Sequence, residues 1–186
     1  MLKAFLGLWM VMMTSYSAAG QTDDSLEYVK QVRDFIIHAP IETLRDSMNI
    51  LVDLPSGLFS PIADCLDVIK NDSTHISKAY LEYIFKESQT RRIKRWPPDI
   101  SPRIKVISSD TVNLIFDDHL SGWDHFHKNF GRSINRFSLP VFFGDKYCLF
   151  YSDTTCGSLC GEGSWKLYSK EEGTWVIIRE YCNWIS

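Results

Sequence analysis

VFFGDKYCLFY at residues 141–151 and SWKLYSKEEGTWVIIREYCNW at residues 164–184 decide the reading of this chain. In the first, Val141-Phe142-Phe143 and Tyr147–Tyr151 are apolar, β-favouring runs on either side of Gly144-Asp145-Lys146, the pattern of a hairpin. In the second, Ser164–Ser169 and Thr174–Trp184 pair across Glu171-Glu172-Gly173. Along the last strand, strict alternation puts Trp175, Ile177, Tyr181 and Ile185 on one face. It puts Val176, Ile178, Cys182 and Trp184 on the other. Both faces are mostly apolar, so this strand is expected to be covered on both sides or to sit in a strongly curved sheet.

Working outward, the helical spacing lies upstream. Asp24 can cap a helix with Glu27 in capping-box position, and Val29, Val32 and Ile36 share a face flanked by Leu26 and Phe35. Pro40 ends it. Ile41, Leu44, Met48 and Leu51 keep helical spacing, which predicts a second helix, although Asn49–Leu54 also reads as a short strand. Ser60-Pro61 opens a further helix carrying Ile62, Cys65, Leu66 and Ile69 on one face, and another runs from Ser77 to Glu87. Trp96-Pro97-Pro98 stops regular structure. Beyond it, Arg103–Ser108 alternates like a strand, Ser109–Phe116 is ambiguous, and Gly122–Phe130 reads as a short helix. The expected class is α+β: N-terminal helices packed on a C-terminal antiparallel β-meander. Residues 21–186 are read as one such domain, with 21–95 mainly helical and 103–186 mainly antiparallel sheet.

Residues 1–20 read as a signal peptide. Lys3 supplies a charge, Ala4–Met13 is apolar, and Ser17, Ala18, Ala19 and Gly20 are small enough for cleavage. Ten apolar residues rise about 15 Å as a helix, half of a hydrocarbon core of roughly 30 Å. The expected mature chain of about 166 residues is secreted or periplasmic, with no later run long enough to span a membrane. The whole chain of 186 residues carries a formal charge of −3, which argues against a nucleic-acid partner. An apolar content of 45% suffices for a packed core.

The tail resembles a group of exported bacterial proteins of unknown function. The shared features are a GW..F helix at Gly122-Trp123-Asp124-His125-Phe126, an S...F strand, a CG.LCG.G turn over Cys156–Gly163, a G.W.V hairpin at Gly173–Val176 and a final W.S at Trp184–Ser186. The likeness covers about the last 65 residues. It implies a bacterial exported domain and brings no catalytic residue with it.

Five cysteines remain for an oxidising compartment, so at least one is left over from pairing within the chain. Cys156-Gly-Ser-Leu-Cys160 is a short glycine-flanked loop whose sulfurs can meet, and a structural disulfide fits it best. A zinc half-site lacks its second ligand pair, and a redox dithiol ordinarily has two intervening residues. Nucleophilic cysteine is the remaining alternative. The hairpin register brings Cys182 near the same region, so Cys182 could reach Cys156 or Cys160 instead. Cys65 and Cys148 read as small buried thiols.

Asp117, Asp118, His119, Asp124, His125 and His127 crowd together, but on a helix His125 and His127 point about 200° apart, so no metal site is expected. No phosphate-cradling, nucleophile-elbow or zinc-protease motif is present, and nothing requires a cofactor. The basic run Arg91-Arg92-Ile93-Lys94-Arg95 reads as a solvated linker, an anion contact or a processing site. Asn71-Asp72-Ser73 is a glycosylation sequon. What remains is the aromatic-rich sheet and the cysteine loop. They favour a non-enzymatic exported binding or structural domain whose partner is a protein, peptide or glycan, with Trp165, Trp175, Tyr181 and Glu162 as contact candidates. The rival is an extracytoplasmic, hydrolase-like enzyme with a pocket between helices and sheet, drawing on Glu162, Glu180, His125 or Cys160. A third reading is a cell-envelope structural or immunity-type protein.

Overall fold

A computed structural model describes residues 20–44, 48–56, 65–90, 92–118 and 121–186. The expected leader and the Ser60-Pro61 helix start therefore lie outside the described residues, apart from Gly20. The elements run α1 (Gly20–His38), β1 (Asn49–Val52), α2 (Cys65–Asn71), α3 (Lys78–Ser88), β2 (Ile104–Ile107), α4 (Ser109–Phe116), α5 (Gly122–Asn129), β3 (Ile134–Phe137), β4 (Val141–Phe143), β5 (Tyr147–Gly157), β6 (Cys160–Glu171) and β7 (Thr174–Ile185). The class is α+β, with one mixed, mostly antiparallel sheet of seven strands.

Both hairpins form where the sequence places them. β4 and β5 pair antiparallel across residues 144–146, and β6 and β7 pair across Glu172-Gly173. The remainder departs from a simple helices-then-meander order. β1 lies parallel to β2 on one side and to β3 on the other, giving the order β2-β1-β3-β5-β6-β7, with β4 on β5 beside β3. Parallel neighbours cannot be joined by a tight turn and need crossovers. The connection from β1 to β2 contains α2 and α3, and the connection from β2 to β3 contains α4 and α5. Helices therefore occur in both halves of the chain. For the same reason the helix expected over Ile41–Leu51 is corrected: Ile41–Leu44 form a turn, residues 45–47 lie outside the described residues, and Asn49–Val52 is β1, as the alternative strand reading has it. All four β1 residues are buried, as befits a strand between two parallel neighbours with both faces covered.

The sheet is covered on both faces. On one side α1 buries Val32, Phe35 and Ile36 against Leu51, Phe137, Phe150, Tyr168 and Trp175. Phe35 is the centre of this layer. Its ring meets Phe150, Tyr168 and Trp175 edge-on at 5.1, 5.0 and 5.2 Å, the geometry aromatic quadrupoles favour. On the other side α2, α3 and the segment between them supply Cys65, Ile69, Ile76 and Ile84 to a cluster with Leu149, Tyr151, Trp165 and Tyr181. On that same side, α4 and α5 cover Ile50, Ile107 and Ile134 with Phe126 and neighbouring aromatics. Ser77 caps α3 and Ser108, rather than Ser109, caps α4 through their side-chain oxygens.

The two-faced β7 is resolved by bulges. The β6–β7 register shifts between Gly163 and Trp165 and again between Leu167 and Tyr168. Each extra residue turns the following side chains over. Trp175 and Ile177 accordingly pack with α1, whereas Ile178, Tyr181 and Cys182 pack with α2 and α3. The expected grouping of Tyr181 with Trp175 is thus corrected by a bulge that strict alternation does not foresee.

Two disulfides form: Cys156–Cys160 across the β5–β6 turn, and Cys65–Cys182, which ties α2 to β7. Cys65 is therefore not merely a small buried thiol, and Cys182 does not join the loop pair. Cys148 is buried and free, and burial pushes its thiol well above the ordinary range.

The glycine-rich turn also has a packing role. A Cβ on Gly163 would lie 2.6 Å from Asp153 Cβ and 2.7 Å from Trp184 Nε1, and one on Gly161 would lie 3.1 Å from the Trp184 ring. The indole lies across β6 where side chains are missing, and its Nε1 donates to the Tyr151 hydroxyl at 3.1 Å. That hydroxyl donates in turn to Asp153, whose other oxygen accepts from Arg136 at 2.9 Å.

Candidate binding cleft

Two concavities lie side by side along β4. One lobe, of about 270 Å³, is bordered by Tyr28 and Gln31 of α1, Tyr83 and Glu87 of α3, Leu54–Ser56, Thr90–Lys94 without Arg91, and Leu139–Phe142. The second, of about 560 Å³, is bordered by Gln31 and Asp34, by Ala79, Tyr80 and Tyr83, by Phe142–Asp145, and by Tyr147, Lys170 and Trp175. Gln31, Tyr83 and Phe142 border both lobes. They form one elongated cleft with α1 as one wall, α3 as the other and β4 between them.

Each wall is placed by an identifiable contact. The Tyr28 hydroxyl donates to the Pro140 carbonyl at 2.8 Å, fixing α1 over the entry to β4. Burial pushes that hydroxyl far above the ordinary tyrosine range, so it remains a donor. Tyr80 lies 5.1 Å from the Phe143 ring, and its hydroxyl sits where a Cβ on Gly144 would fall, which secures α3 to the hairpin tip. Gly144 has a φ of 56°, so glycine serves here both for conformation and for space. Phe142 turns toward α1 and meets Tyr28 and Phe35 at 6.1 and 5.8 Å. Tyr83 is 41% exposed on the α3 wall. Burial, then Glu87, raises the pKa of its hydroxyl.

The charges around the cleft are largely paired. Arg92 meets Glu87 at 2.8 Å and lies over the Tyr28 ring. Lys170 meets Asp34 at 3.2 Å and lies over Trp175. Aromatic faces beside polar groups and compensated charges suit an elongated ligand carrying little net charge.

Only one of the four contact candidates borders this cleft. Trp175 is 5% exposed, with its edge in the larger lobe. Trp165 and Tyr181 are buried core residues, so they present no open aromatic face. The Tyr181 hydroxyl is occupied in donating to Asp72 at 2.8 Å. Glu162 borders a separate crevice of about 80 Å³, together with Glu42, Glu180, Ser152, Ser164 and Lys166. That volume suits a few waters rather than an organic substrate. Lys166, buried between Glu42 at 2.5 Å and Glu180 at 3.9 Å, acts there as a charge partner.

The other groups considered for enzymatic chemistry do not converge. Cys160 is held in a disulfide, and His125 is exposed on α5. His127 Nε2 lies 3.2 Å from the Cys156 carbonyl oxygen, which links α5 to the disulfide loop. His119 lies outside the described residues. Among the described residues, no group of three or more histidine, cysteine or acidic side chains has metal-binding geometry.

Sequence reasoning missed Tyr83, Phe142 and the α1 wall because no motif marks them. The basic run was the available signal. Arg92 and Lys94 border the smaller lobe, while Arg95 pairs with Asp53. Ile93 and Trp96 are buried, so the segment is more than a solvated linker; Arg91 lies outside the described residues. No described helix is long and apolar enough to cross a membrane. No family model, curated protein or solved structure matches the chain.

Proposed function

We propose that this is a non-enzymatic exported domain, secreted or periplasmic, that binds an elongated ligand in the cleft between α1 and α3. The observation that carries the reading is the cleft itself: two adjoining lobes that share Gln31, Tyr83 and Phe142, aromatic walls, and the ion pairs Arg92–Glu87 and Lys170–Asp34. Export is supported by the leader-like start of the sequence and by two disulfides in a chain whose remaining cysteine is buried. The tail's resemblance to exported bacterial proteins points the same way. A hydrolase-like enzyme is less well supported, because Glu162 and Glu180 share only the small crevice and Cys160 is in a disulfide.

The reading is tested on the oxidised domain with two probe sets, a library of random peptides and an array of neutral oligosaccharides. At least one class is expected to bind the parent and to lose binding in Tyr83→Arg, which puts a longer charged side chain at the junction of the lobes. Binding unaffected by Tyr83→Arg, or binding by neither class, would remove the basis for assigning ligand recognition to this cleft.

A further inference from the structure

We propose that the occupant of the cleft is an extended polypeptide segment that adds, as a further strand, to the edge of β4 that no described strand pairs. The proposal rests on the reading of the cleft as a ligand site and names its ligand class.

The backbone register carries the inference. Ser138 N–H donates to the Tyr151 carbonyl at 3.0 Å, and Tyr151 N–H donates to Ser138 Oγ at 2.9 Å. Both backbone groups of Tyr151 thus face the side of β5 on which β3 and β4 lie. The β5–β6 register is continuous from Tyr147 to Thr155, so the alternation holds and Leu149 and Tyr147 face that side too. Their partners on β4 are Val141 and Phe143. Those two residues turn their backbone groups inward to the ladder. Phe142, between them, turns its N–H and C=O outward, into the cleft. An edge left unpaired among the described residues and flanked by two helices is the geometry in which an extended chain adds as a strand. Main-chain hydrogen bonds then supply affinity, and alternate side chains enter pockets. A sugar would satisfy the aromatic walls but has no amide N–H and C=O on one residue to match the Phe142 pair.

Charge complementarity adds a second, independent argument. The lobe at the start of β4 carries Arg92 and Lys94 against Glu87, a net positive end. The lobe at the hairpin tip carries Asp34 and Asp145 against Lys170, a net negative end. A segment with an acidic residue at the first end and a basic residue at the second matches both.

The test starts from peptides selected from a displayed library of random twelve-residue sequences on the oxidised domain. The best binder is then synthesised with each backbone nitrogen methylated in turn. Strand addition predicts about a tenfold loss at the one position whose N–H donates to the Phe142 carbonyl and little loss at the two positions beside it, because the Pro140 and Gly144 carbonyls are already bonded to Tyr28 and Lys146. It also predicts slowed amide exchange at Phe142 and a similar loss in Phe142→Pro, a substitution an edge strand can accept. The methylation scan uses the parent domain, so it decides the matter even if Phe142→Pro fails to fold. Lys94→Glu is expected to weaken the peptide and to be rescued when the peptide's acidic residue is replaced by lysine. Methylation losses of equal size at neighbouring positions, or none at any position, would overturn strand addition. So would oligosaccharides that bind in a Tyr83-dependent manner where no peptide does, but that result would leave the cleft a ligand site. Failure of both probe classes would remove both readings.

Discussion

Removing the two disulfides separately should destabilise the domain to very different degrees. In Cys65→Ala/Cys182→Ala the lost link closes a separation of 117 residues; in Cys156→Ala/Cys160→Ala it closes 4. The loop-entropy relation gives about 5 kcal/mol for the first and about 2 kcal/mol for the second at 25 °C. Local structure widens the gap. Cys65 is buried in the α2–β7 cluster, so alanine there also leaves a small void. Cys160 is exposed, so alanine there leaves no comparable void. The assay is guanidinium unfolding of the oxidised parent and both double variants, followed by circular dichroism with a common slope. The long-range variant should lose at least twice the stability of the loop variant. Equal losses, or a larger loss from the loop pair, would refute the view that Cys65–Cys182 is the principal covalent constraint on the fold.

Three further outcomes are expected. Phe35→Ala should cost about 3–5 kcal/mol, read by urea denaturation, because it empties the centre of the aromatic layer beneath α1. Gly163→Ala should cost about 1–3 kcal/mol by the same assay, with altered tryptophan fluorescence, since the new methyl group collides with Asp153 and Trp184. Asp72 should contribute to acid unfolding. Burial pushes its carboxyl up, but hydrogen bonds from His75 and Tyr181 outweigh that and hold it below the usual carboxylate range. A depressed folded-state pKa gives stability that is present above the unfolded value of about 3.9 and is lost as pH falls through the lower folded value. Asp72→Asn should therefore be less stable than the parent at neutral pH, and the difference should narrow below about pH 4 in a pH series of thermal melts.

The parts of the fold legible in the sequence are those whose pattern is local. The turn Gly144-Asp145-Lys146 and the turn at Glu172-Gly173 announce their hairpins, and Val32, Ile36 and Ser77 announce the α1 face and the α3 start. The parallel half is not local. β1 has the sequence Asn-Ile-Leu-Val, equally good as the end of a helix that Ile41 and Leu44 begin, and its strand state depends on pairing with Ile104–Ile107 and Ile134–Asn135. Tertiary pairing overrides the local period there. The bulges opposite β7 belong to the same class, because no residue between Trp175 and Tyr181 marks the point where the faces exchange.

The cleft was less legible than the fold for a related reason. Trp165 and Tyr181 drew attention as aromatic residues on strands, yet with both faces of the sheet covered they are core. The residues that border the cleft lie instead along an edge where the cover of the described sheet parts. Tyr28 and Tyr83 on helices, and Phe142 on a three-residue strand, are separated by more than fifty residues from one another in sequence and meet only because β4 ends beside two helices. Composition therefore drew the contact candidates to strands whose aromatic side chains are core. An edge is a property of strand order, and strand order here is set by the parallel crossovers that the sequence least discloses.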